Sequence, residues 1–150
     1  MEKHGLISVE KRNFEFIQVH EAPVAKEDMF TFLLELFCPF VDSLWLTTTT
    51  LLSLENQRVG VMERMLVERA QWFGEKSYFE RMMAYFDATS KESIRCALKI
   101  FMRRGILQVD DSTSLTLSPE VAANPNILHE LISRIASYRK PFTPTSFARL

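Results

Sequence analysis

Thr89-Ser90-Lys91-Glu92-Ser93-Ile94-Arg95-Cys96-Ala97-Leu98-Lys99-Ile100-Phe101-Met102-Arg103-Arg104-Gly105-Ile106-Leu107-Gln108-Val109 carries the clearest local grammar in the chain. Thr89-x-x-Glu92 has the form of a capping box, in which a hydroxyl and a carboxylate satisfy the first free N–H groups of a helix. Ile94, Ala97, Leu98 and Phe101 recur at helical spacing, and Gly105 stands where a helix ends in a left-handed residue. A helix from Lys91 to Arg104 is the expected result. Ile106-Leu107-Gln108-Val109 and Leu115-Thr116-Leu117 then alternate around Asp110-Asp111-Ser112-Thr113-Ser114, the pattern of a hairpin with a polar tip. Helix, turn, helix, hairpin is the order of a winged-helix unit.

Upstream, Asn56 to Phe73 places Val59, Met62, Leu66 and Phe73 near one stripe, which reads as an amphipathic helix interrupted at Gly74. Tyr78-Phe79, Met82-Met83 and Phe86 resume the helical period, and such methionine and aromatic stripes are expected to be core. Met29 to Leu54 is the most hydrophobic part of the chain. Glu35, Pro39 and Asp42 interrupt it, so two helices joined or kinked at Pro39 are expected rather than one membrane span. Downstream, Asn124-Pro125 supplies a cap and a first-turn proline for a last helix carrying Ile127, Leu128, Leu131, Ile132 and Ile135. At the other end, Leu6 to Val9 and Phe14 to Val19 alternate on either side of Glu10-Lys11-Arg12-Asn13 and predict a short hairpin or two extended strands.

The expected architecture is therefore mainly α, a helical domain with a winged-helix-like helix-hairpin unit and a short N-terminal β segment. Residues 1–22 form the junction or hairpin, 23–139 the helical domain and 140–150 an extended tail. With 150 residues, 47% of them hydrophobic, the chain has material for one ordinary core; a domain of this length buries roughly two thirds of its unfolded surface. Disorder, collagen and disulfide scaffolds are excluded by composition. Cys38 and Cys96 lack a C-x-x-C or histidine partner and are expected to be small buried hydrophobes. Met1 to His20 has charges throughout and no central apolar run, so no secretory signal is read there.

The chemistry available is sparse. The histidines are His4, His20 and His129, none at metal-ligand spacing, and with 4 glycines there is no phosphate-binding glycine loop. No catalytic residue, cofactor or metal is expected. Lys91, Arg95, Lys99 and Arg103 recur every four residues and give one helix face a basic stripe that could lie along nucleic acid. A formal net charge of -1 and the acidic tip at Asp110-Asp111 disfavour that partner. Phe30, Phe37, Phe40 and Trp45 are the candidate apolar surface for docking a protein partner or a membrane surface.

Three stretches, Pro39-Phe40-Val41-Asp42-Ser43-Leu44-Trp45, the run Tyr85 to Ser93, and Ala97 to Leu107 with its Arg103-Arg104-Gly105-Ile106-Leu107 end, resemble the C-terminal region of the glycerol-3-phosphate/dihydroxyacetone-phosphate acyltransferase family. The resemblance covers roughly Met29 to Tyr138. It implies a role in glycerolipid synthesis beside a catalytic domain whose His-x-x-x-x-Asp motif activates the acceptor hydroxyl. That motif is missing here: His4 is followed five residues on by Val9, His20 by Ala25 and His129 by Arg134. The chain is thus expected to be a noncatalytic domain or fragment. Ala148-Arg149-Leu150 is similar to the small-basic-leucine tripeptide read by the peroxisomal import receptor. With the family resemblance it implies the peroxisomal, dihydroxyacetone-phosphate branch of ether-lipid synthesis, on the lumenal side of the membrane, or a cytoplasmic location if the tripeptide is fortuitous. A winged-helix protein-interaction or DNA-binding module is the alternative.

Overall fold

A computed structural model describes residues 7–12, 14–19, 24–55, 59–111 and 113–141. It divides into two compact units, Met1–Leu36 and Phe37–Leu150. In the first unit, β1 (Ile7–Arg12) pairs antiparallel with β2 (Phe14–Val19), from Ile7 opposite Val19 to Arg12 opposite Phe14. The polar run at Glu10 to Arg12 thus belongs to the strand instead of splitting it. Backbone pairing is indifferent to side-chain polarity on a ladder this short.

α1 (Val24–Leu51) is one continuous helix with Pro39 inside it, where two helices joined or kinked at that proline were expected. A proline in a helix interior costs about 3 kcal/mol. The second half of α1 offsets this, because Leu46 and Leu51 are fully buried and each such side chain contributes roughly 1.5–3 kcal/mol. The four threonines are spent locally: Thr47, Thr48, Thr49 and Thr50 donate their hydroxyls to the carbonyls of Ser43, Leu44, Trp45 and Leu46 at 2.7–2.9 Å. Their oxygens are satisfied within the helix, so three of them can be buried. Thr31–Leu54 has the length and a mean hydropathy of 1.2 that a membrane span requires. From Asp42 onward, however, much of it packs into the core of the second unit.

The second unit has winged-helix topology. β3 (Val61–Met62) leads into α2 (Glu63–Phe79), then α3 (Lys91–Arg103) and the hairpin β4 (Leu107–Val109) and β5 (Ser114–Leu117). The sheet order is β3-β5-β4, with Val61 and Val109 both opposite Leu115. Leu66, Ile94, Leu98, Phe101, Leu107, Leu115 and Leu128 meet the buried face of α1 in one hydrophobic core. α4 (Pro119–Ala123) and α5 (Asn126–Ala136) follow the hairpin.

Three local expectations are corrected by this arrangement. Val61 and Met62 are strand, not helix, because they find β5 as a partner. Gly74 does not interrupt α2; it is buried where an added Cβ would lie 2.6 Å from Leu46 Cδ2 and 2.9 Å from Thr89 Cγ2, so glycine is what lets α2 approach α1. The residue capping α3 is Ser90, whose Oγ accepts from the Ser93 N–H at 3.1 Å, while Thr89 donates to Phe86 O in the preceding 3-10 turn. At the other end, Gly105 has φ 70°, with Gly105 N–H to Met102 O and Ile106 N–H to Phe101 O closing a Schellman motif.

Candidate functional site

The apolar candidates separate once packed. Within the second unit, Phe37 and Phe40 are 59% and 51% exposed at i, i+3 on α1. Trp45 is half-buried, 6.3 Å from the Phe73 ring and with the Arg139 guanidinium 3.8 Å above its own. Phe30 lies in α1, but its side chain is outside the described residues. In the first unit, Met29, Phe32, Leu33, Leu34 and Leu36 of the same helix are exposed as well. Aromatic side chains carry the largest apolar area per residue, and exposed apolar patches of this kind are candidate interaction surfaces.

Trp45 belongs to a polar clasp that sequence reading passed over. Asp42 is 1% exposed, and its Oδ1 lies 2.6 Å from Arg139 Nε, while Oδ2 accepts from the Ala84 N–H at 3.3 Å. Arg139 Nη2 donates to Met82 O at 2.6 Å. One guanidinium therefore joins α1, the segment after α2 and the chain beyond α5. The partners are 97 residues apart in sequence, so no spacing could have announced them; the available signal was an acid placed in an apolar helix.

Lys91, Arg95, Lys99 and Arg103 are all exposed on α3. Arg95 lies between Glu63 at 3.8 Å and Glu92 at 3.7 Å, which neutralises the middle of the stripe. The wing tip is acidic, with Asp110 Oδ1 accepting from the Asp111 N–H at 2.7 Å. A duplex laid along α3 would meet those carboxylates beside the cations.

Other candidates are dispersed. His129 is exposed on α5, and His4 and His20 lie outside the described residues, as do Phe142 to Leu150 with the tripeptide Ala148-Arg149-Leu150. Among the described residues no cluster of three metal-ligating side chains occurs. The expectation of two buried cysteines is corrected: Cys96 is exposed and Cys38 half-buried, both as free thiols. Cys96 sits three residues before Lys99 on the polar side of α3, opposite Ile94 and Leu98.

A family model described as Glycerol-3-phosphate acyltransferase C-terminal region matches residues 1–110. The match takes in β1 and β2 and ends at the wing tip, so it includes all three stretches that carried the resemblance, between Pro39 and Leu107, but begins before and stops short of the rough extent expected, Met29 to Tyr138. No curated protein and no solved structure matches the chain.

Proposed function

Because this chain belongs to the glycerol-3-phosphate acyltransferase C-terminal family, we propose that it is a noncatalytic supporting domain that docks on a catalytic domain through Phe37 and Phe40 of α1. The observation that carries this is the exposure of two phenylalanines one turn apart on a helix whose next turns enter the core. That pairing gives a rigid, preoriented aromatic anchor, the kind of feature on which interfaces concentrate their energy. Acyl transfer needs a base on the acceptor hydroxyl, and none of the three histidines has the His-x-x-x-x-Asp context that supplies it in the family. The chemistry is therefore assigned to the partner.

The test mixes the full chain with a separately purified His-x-x-x-x-Asp catalytic domain of the same family and measures association by calorimetry, with phospholipid vesicles as a second arm. Association lost in Phe37→Ser/Phe40→Ser, with secondary structure retained, supports the reading. Association of wild type and variant alike sinks it, and binding to vesicles alone assigns the surface to a membrane.

The finer part of the proposal is location. The resemblance of Ala148-Arg149-Leu150 to the small-basic-leucine tripeptide read by the peroxisomal import receptor supports service to the dihydroxyacetone-phosphate branch that begins ether lipids. A reporter carrying residues 140–150 should appear in peroxisomes and lose that location without Leu150. A diffuse signal in both cases removes this part and leaves the docking role standing.

A further inference from the structure

α1, α3 and α5 line an open groove of about 490 Å³ at the second unit's surface, inside the range of about 300–1,000 Å³ typical of small-molecule sites. Leu44, Ile100, Ile106, Leu131 and Ile135 supply its apolar lining. Its charged residues are both arginines: Arg104, the residue closing α3, and Arg134 in the last turn of α5. Both are exposed, and neither has an ion pair among the described residues; even Glu130, one turn before Arg134, does not close one.

The geometry points to a binding site for a single-chain anionic amphiphile, with its alkyl chain along the isoleucine and leucine lining and its carboxylate or phosphate between Arg104 and Arg134. Charge complementarity selects this occupant. Two guanidiniums from separate elements offer fork-shaped donors to one anionic head, and the apolar lining excludes a ligand that is polar throughout. A nucleotide or sugar phosphate would leave its ring hydroxyls against leucine. The site involves neither Phe37 nor Phe40, so it stands or falls apart from the docking role.

The experiment titrates the full chain by calorimetry with laurate and with dodecyl phosphate, below the concentration at which either aggregates, and with uncharged dodecyl maltoside as a control. Saturable one-to-one binding of at least one anionic probe is expected, and comparing the two decides whether carboxylate or phosphate is the preferred head. In Arg104→Gln/Arg134→Gln that affinity should fall roughly 10- to 100-fold, the size of losing charge-assisted hydrogen bonds. The maltoside should bind wild type and variant equally, which reports that the groove is intact. Equal affinity of the anionic probes for both proteins overturns the site, as does binding of neither probe.

Discussion

Removing the Arg139 side chain isolates a single buried charge, and the consequence can be worked from the clasp. Arg139→Ala takes from Asp42 its only ion-pair partner among the described residues, at 2.6 Å, and leaves a carboxylate that is 1% exposed with one described N–H donor, from Ala84 at 3.3 Å. Breaking a buried pair from one side costs about 3–5 kcal/mol. The lost stacking on Trp45 at 3.8 Å adds about 0.5–1 kcal/mol, since the arginine side chain is partly solvated. The remaining Ala84 bond and water entering the vacated space offset part of this, so a loss of about 3–4 kcal/mol is expected. Urea unfolding followed by tryptophan fluorescence measures it, with the loss read as a lower midpoint at unchanged slope. The companion Asp42→Leu/Arg139→Met should lose less than Arg139→Ala alone, because an apolar pair leaves no unpaired charge. An Arg139→Ala protein within 1 kcal/mol of wild type, or a double variant no better than the single, would refute the clasp as a structural element.

Gly74→Val should destabilise by about 1–3 kcal/mol through overpacking against Leu46 and Thr89, and equal stability in thermal melts would show that α2 can shift away from α1. Ser90→Ala should lose about 1 kcal/mol, the usual value of a helix cap, whereas Thr89→Ala should leave the α3 cap itself in place; a larger helical loss from the threonine change would restore the capping-box reading. Gly105→Ala should cost about 1 kcal/mol from the positive φ alone, since no atom lies within 4 Å of an added Cβ. In a thiol-labelling time course on the native chain, Cys96 should react before half-buried Cys38, and simultaneous labelling would place both in equal contact with solvent.

Much of the fold was legible where the physics is local. Gly105 at a helix end and alternation on either side of Asp110-Asp111 require only neighbouring residues, and the Schellman bonds and the β4–β5 pairing follow from them. The capping residue was displaced by one because Thr89 and Ser90 are both competent caps, and only the 3-10 turn that occupies the Thr89 hydroxyl decides between them. Of the docking candidates, composition could rank Phe37, Phe40 and Trp45 as alike. Packing separated them, since Trp45 faces a guanidinium contributed from beyond α5.

The amino-acid sequence by itself determined the helix–hairpin order, the missing His-x-x-x-x-Asp context and the family resemblance, because these rest on residues within a few positions of one another. Only the tertiary structure decided that α1 passes through Pro39, that Val61–Met62 is the third strand, that Gly74 is a point of close approach, and that Asp42 answers to Arg139. In each case the deciding energy comes from a surface distant in the chain: leucine burial outweighing a proline, a strand completed by β5, a helix pressed against α1, and a charge neutralised across 97 residues.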